Sequence, residues 1–315
     1  MNLVETDRMK ITKIFDREIR SKNVEAIRLA LKSQCYRLTG TVLEAPIFIV
    51  GCSRSGTTVT YETIASATGL LSFGYELPQM WNSLCGPETN NWHSEAASAG
   101  DACEAHRLAA SAYFLARLGR GIVLDKTCIN VLRIPYLLEL FPDARIVYIY
   151  RDGPDNISSL IDGWRDGRFN LRQFLGDFPE RVAINGGEFD AWHFFLPPGW
   201  RNYSETSLEK VCAYQWMTAN SMALEAEKLV PDGQWISLRY EDIFADPVSM
   251  YRQAFEKLGL TFAQKDERRC ASLSTLPTSI VSGAPKKEKW RTRNPEAIDR
   301  ILDTIQPVRR QLGYV

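Results

Sequence analysis

No run in this sequence is apolar for long enough to span a bilayer, which excludes membrane-spanning helices. Its seven cysteines, at 35, 52, 85, 103, 128, 212 and 270, form no C-x-x-C pair and no zinc-type spacing. A disulfide framework and a zinc module are therefore not expected, and the cysteines read as mostly buried thiols of a reducing compartment. Neither sign of charge dominates: Lys+Arg and Asp+Glu number 38 each, so no global field draws the chain to nucleic acid or to an anionic membrane, and any anion site must be local. Histidine is scarce, with only His93, His106 and His193. The opening residues Met1–Asp7 carry no secretory apolar run, and the expected location is the cytoplasm. There is no internal repeat and no long low-complexity tract.

What the chain does contain is a short apolar run that ends in a glycine-bounded loop: Pro46-Ile47-Phe48-Ile49-Val50-Gly51-Cys52-Ser53-Arg54-Ser55-Gly56-Thr57-Thr58. This reads as a strand, a loop and a helix N-terminus, the arrangement that presents backbone N–H groups and a helix dipole to an anion. Gly51 and Gly56 stand at the spacing of the nucleotide P-loop, but Thr57 occupies the place of its lysine. Arg54 supplies the cation instead, with a planar fork suited to phosphate or sulfate oxygens. Ser55, Thr57 and Thr58 add hydroxyls. The plain alternative is a Gly/Ser/Thr-rich turn that opens a buried helix.

Apolar strands alternate with helical sequence along the rest of the chain. Strands are expected at 46–50, 121–126, 144–151 and 235–240, and helices within 7–38 (one or two), 57–68, 101–118, 132–140, from about 154, and at 207–229. Residues 70–100 read as polar and Gly/Asn-rich. The pattern predicts an α/β fold with a central parallel sheet covered by helices on both faces. In such sheets ligands sit beyond the carboxyl ends of the strands. Three strand ends here carry cations: the Arg54 loop, Asp125-Lys126-Thr127, and Arg151-Asp152. Ser159 follows Arg151 on the next helix, and the two can converge on one phosphate. Each residue also has an ordinary reading. Arg151 can pair with Asp152 or Asp155, Ser159 can bond back to a helical carbonyl, and Lys126 can pair with Asp125.

These residues carry a resemblance. The stretch from Phe48 to Thr58 is similar to the 5′-phosphosulfate loop of sulfotransferases that use 3′-phosphoadenosine 5′-phosphosulfate (PAPS), and Arg145–Ser159 resembles their 3′-phosphate motif. Arg239–Pro247 matches a third common segment. Ser282, Lys289-Trp290-Arg291 and Leu312-Gly313-Tyr314 look like the C-terminal portion of the bacterial branch. The resemblance implies a P-loop-type three-layer fold, PAPS as donor, and a single sulfotransferase domain over 41–315. Residues 1–40 then form an N-terminal helical segment, and an aromatic-rich cap is inserted at about 164–206. Sulfuryl transfer needs a base for the acceptor hydroxyl and cations for the departing phosphate. Arg54, Lys126 and Ser282 are the candidates beside the leaving group, and no metal is required if the cations carry that load.

The hormone-type branch has a histidine after Lys-Thr at a strand end. This chain reads Lys126-Thr127-Cys128. The tyrosylprotein and heparan branches use a glutamate after the loop helix, and Phe73-Gly74-Tyr75-Glu76-Leu77-Pro78 resembles that place, so Glu76 is the expected base, with His93 its main competitor. An exposed loop glutamate is the plain reading. The resemblance gives Tyr240 to the donor, although a core tyrosine fits equally well. It also allows Lys289 and Arg291 to close over a phosphate, although they stand in an ordinary charge run. The expected acceptor is a carbohydrate, glycolipid or other small alcohol, and a homodimer stays open. A P-loop kinase or NTPase, and a nucleotide-binding module without catalysis, are the competing readings.

Overall fold

The computed structural model describes residues 3–273 and 287–314, with the backbone alone for 3–20. Ser282 lies outside the described residues. The strands are β1 (Ile47–Val50), β2 (Leu70–Leu71), β3 (Ile122–Lys126), β4 (Arg145–Tyr150) and β5 (Trp235–Arg239). They form one parallel sheet in the order β2-β3-β1-β4-β5. Strand β1 is buried on both faces, as the unbroken Ile-Phe-Ile-Val run requires. Alternate side chains feed two cores. Phe48, Val50, Ile146 and Tyr148 point to one, and Ile47, Ile49, Val147 and Ile149 to the other.

The helices begin with α1 (Leu3–Leu38), α2 (Thr57–Ile64), α3 (Pro78–Cys85), α4 (Glu104–Leu118), α5 (Ile134–Leu140) and α6 (Gly153–Arg165), followed by the short α7 (Arg172–Leu175) and by α8 (Leu208–Glu227). The N-terminal segment is thus one helix, and it packs on α4. Three elements depart from the sequence reading. The 70–100 stretch contains β2 and α3, and α2 stops at Ile64 rather than near 68. Helix α3 has Pro78 in its first turn and buries Met80, Trp81 and Cys85. Among the described residues no helix is long and apolar enough to cross a membrane.

Register sets the function of the sheet. Ile49 lies opposite Lys126, Val50 opposite Tyr148, and Tyr150 opposite Arg239. The loop after β1, the end of β3, Arg151 after β4 and Tyr240 after β5 therefore emerge along one edge.

Candidate active site

The loop is held to the sheet before it can hold anything else. A Cβ at Gly51 would stand 2.3 Å from the carbonyl oxygen of Ile149, so only glycine lets the loop lie this close to β4. The Ser55 hydroxyl donates to that same carbonyl at 3.2 Å and is spent on the scaffold. Asn156 of α6 donates to the Ser53 carbonyl at 2.8 Å. Arg54 takes a left-handed conformation (φ 71°), and Gly56 caps α2 at φ 103°. A Cβ at Gly56 would lie 2.6 Å from Tyr240 Cδ2, so one edge of that ring packs against the mouth of the helix. The first-turn N–H groups of α2 have no intrahelical acceptor and face outward beside these side chains.

At one end of the loop Arg54 Nε donates to Ser159 Oγ at 3.2 Å. Arg151 Nη1 lies 3.4 Å from the Arg54 carbonyl, and its guanidinium stacks 4.3 Å above the Tyr240 ring. The ordinary pairings of Arg151 do not form among the described residues. Asp152 is taken by Arg309 in a bidentate pair at 2.7 and 3.0 Å, and Asp155 accepts the N–H groups of Glu288 and Trp290. Among the described residues Arg151 Nε is buried without a hydrogen-bond partner. Burial, then the guanidiniums of Arg168 and Arg151, lower the pKa of Arg54. Cations gathered this way, the buried Arg151 among them with an orphaned donor, fit an anion. Arg168 was not singled out from sequence, because it sits in irregular chain after α6 with no motif around it.

At the other end Lys126 Nζ donates to Thr58 Oγ1 at 3.3 Å and pairs with Glu76 Oε1 at 2.7 Å. The Glu76 carboxylate also accepts the Cys128 N–H at 2.9 Å and the Cys128 thiol at 3.4 Å. The two side chains are only 6% and 15% exposed, so Glu76 is not a solvated loop residue. Burial would depress the Lys126 ammonium, but Glu76, with Cys128 and Asp125, outweighs it and the net direction is upward. Burial and then Glu76 push the Cys128 thiol up to about 12, which keeps it a donor. Thr57 Oγ1 lies 3.8 Å from that sulfur.

Asp125 is not the partner of Lys126, since neighbours on a strand point to opposite faces. Its carboxylate is buried beneath the sheet and accepts from Trp81 Nε1, Asn130 Nδ2 and Thr127 Oγ1 at 3.0, 3.0 and 3.1 Å. Burial raises its pKa from 3.8 to about 7. Between about pH 4 and 7 the folded chain therefore holds a proton that the unfolded chain has lost. The contribution of Asp125 to stability is fully present below that window and is lost as pH rises through it. In Asp125→Asn the decline of Tm between pH 4 and 7 should be shallower than in the parent. Equal slopes in thermal melts across that range would rule out Asp125 as the source.

The remaining candidates are more dispersed. Arg291 is exposed and pairs with Glu288 at 2.9 Å, while Lys289 is half-buried in the turn that Asp155 anchors. His93 is exposed, His106 meets the Tyr136 hydroxyl, and His193 stacks on Trp164 at 4.4 Å with its pKa lowered by burial. A cavity of about 570 Å³ opens beside Thr58, Lys126 and Glu76, and none of the three histidines lines it.

The model of the sulfotransferase family matches residues 46–195, the span that holds the Arg54 loop, Glu76, Lys126, Arg151 and Ser159. The match spans just under half of the chain, which resembles the sulfotransferase family there. It marks the chain as an enzyme of sulfuryl transfer. Solved structures share its fold. The sulfotransferase STF9 of Mycobacterium avium superposes with a TM-score of 0.57 at 15% identity, covering 90% of this chain and 80% of that one. A sulfotransferase of Alicyclobacillus acidocaldarius superposes with a TM-score of 0.50 at 14% identity, covering 87% and 98%. A search of curated proteins by sequence finds no match.

Proposed function

We propose that this protein moves the sulfuryl group of PAPS to an acceptor hydroxyl, with Glu76 as the base. A second part of the reading is that 41–315 act as one domain, with 164–206 capping the acceptor cavity. The single observation that carries it is the two-ended loop. Arg54 meets Ser159 at one end, beside Arg151 with its unpartnered Nε, and Thr58 meets the Lys126–Glu76 pair at the other. The first cluster suits the 3′-phosphate. The second suits the reacting end, with the loop N–H groups and Thr57 and Thr58 between them. PAPS, when bound, supplies a sulfuryl group on a phosphosulfate anhydride.

In this reading Glu76 accepts the proton of the acceptor hydroxyl as the acceptor oxygen bonds to sulfur and the sulfur–phosphate oxygen bond breaks. The products are a sulfate ester and 3′-phosphoadenosine 5′-phosphate (PAP). Protonation removes the charge that holds Lys126 at Glu76, so the ammonium is free to follow negative charge to the departing oxygen. The fixed Cys128 N–H keeps the carboxylate aimed throughout. Tyr240 flanks the loop through Gly56, and Lys289 and Arg291 are the further cations this reading gives to the donor's phosphates. Acceptors in this reading span carbohydrates, glycolipids and other small alcohols. The seven unpaired cysteines support a reducing, cytoplasmic setting.

Thermal melts with PAP, ADP and ATP test the donor. A ligand at 100 times its Kd adds about 2.7 kcal/mol of stability. PAP should raise Tm by several degrees and more than either ADP or ATP. Equal shifts with all three would remove the dedicated 3′-phosphate pocket.

A further inference from the structure

The cavity beside Glu76 has walls as well as a floor, and the walls select. Its sides are Tyr61 of α2, Tyr75, Met80 of α3, Tyr113 of α4, and Phe169 and Phe174 from the 164–206 segment. Other rings of that segment are not available to a ligand: Trp164, Trp192, Phe195 and Trp200 are fully buried in the core. Phe169 is fixed in place, since its carbonyl accepts the Phe194 N–H at 2.9 Å and its ring lies 5.9 Å from that of Phe194.

Apart from the Tyr75 and Tyr113 hydroxyls, most polar side chains of the lining are already engaged. Glu76 is held by Lys126 and Cys128, Thr58 accepts from Lys126, the Tyr61 hydroxyl accepts the Gly74 N–H at 2.7 Å, and Glu62 pairs with Arg269 at 3.1 Å. Gln79 remains at the exposed rim. A pyranose would bring a hydroxyl on nearly every carbon against ring faces and a methionine, with no set of side-chain amides or carboxylates to receive them. A carboxylated acceptor would approach Glu76 with no spare cation on the wall.

Building on the transfer reading, we infer that the acceptor is an uncharged alcohol or phenol with an apolar, ring-bearing body. Its hydroxyl points to Glu76 and its body fills the aromatic walls. A volume of about 570 Å³ is in the range of pockets that enclose compact organic ligands.

The full chain saturated with PAP tests this by calorimetric titration with three probes: 2-naphthol, methyl glucoside and a short acidic tyrosine peptide. PAP binding is measured first on the free protein. The expected result is naphthol binding at least about tenfold tighter than the other two. Phe174→Ala should weaken naphthol about tenfold with PAP affinity unchanged. Tyr75→Ala, at an exposed lip position, should weaken it in the same direction. PAP binding together with glucoside or peptide binding as tight as naphthol would overturn the acceptor class and leave the donor reading standing. Naphthol affinity unchanged in both variants would overturn the assignment of the walls. Failure of PAP to bind would instead remove the transfer reading on which this rests.

Discussion

Glu76→Gln is expected to lower kcat by about 10²- to 10⁴-fold, the usual contribution of a positioned general base. The Kd for PAP should change by less than about threefold, because the Glu76 carboxylate sits at the Lys126 end of the loop and not with Arg54, Arg151 and Ser159. Glutamine keeps the size of the side chain, and its carbonyl oxygen can still accept the Cys128 N–H, so the local fold has no reason to collapse. The substitution also removes the charge that anchors Lys126, and some of the lost rate will come through that residue. Lys126→Met, which removes the ammonium and keeps the carboxylate, separates the two effects: a smaller loss of kcat than in Glu76→Gln assigns the remainder to the base. An enzyme that keeps most of its turnover would end the assignment of Glu76, and a comparable loss on replacing the exposed His93 would redirect it.

Arg151→Ala should weaken PAP by about 10- to 100-fold, the range expected when hydrogen bonds to a charged group, each worth about 1.5–3 kcal/mol, are deleted. ADP lacks the 3′-phosphate, so its affinity should barely move, and the ratio of the two constants is the informative number. Arg151→Lys should restore only part of the loss, since an ammonium cannot reproduce the planar fork stacked on Tyr240. The free protein should tolerate the change. Arg151 has no carboxylate partner among the described residues and adds to the positive field on Arg54. Its backbone carbonyl, which accepts from Trp216 Nε1 at 3.2 Å, is retained in the variant. An equal loss of PAP and ADP affinity would show that Arg151 serves the nucleotide at large and would dismantle the two-ended site.

Local sequence made some parts of this protein legible and left others dark. The Ile47–Val50 run ending at Gly51 announces a buried strand and a turn, because burial on both faces needs consecutive apolar residues and the approach to Ile149 needs glycine. Helix α3 was lost in a stretch whose composition is polar, although Met80, Trp81, Leu84 and Cys85 fall on one face of its two turns. Strand β2 has two residues, too few for any period to register. The aromatic residues of 164–206 looked alike in sequence. Only packing divided them into core rings and the two that line the cavity.

The amino-acid sequence alone determined the parallel sheet, the glycine-bounded loop after β1 and the residue types available at each strand end, because each follows from the chemistry of a few neighbours along the chain. Which of them meet was decided by tertiary structure. Arg54 and Ser159 are 105 residues apart and Glu76 and Lys126 are 50 apart, and no local rule relates the members of either pair. Parallel register brings the strand ends to one edge, and the pleat turns Lys126 toward Glu76 and Asp125 away. Packing on Gly56 and Arg309's hold on Asp152 leave Tyr240 and Arg151 facing the loop, since a side chain takes the partner that its backbone position and its neighbours' prior engagements allow.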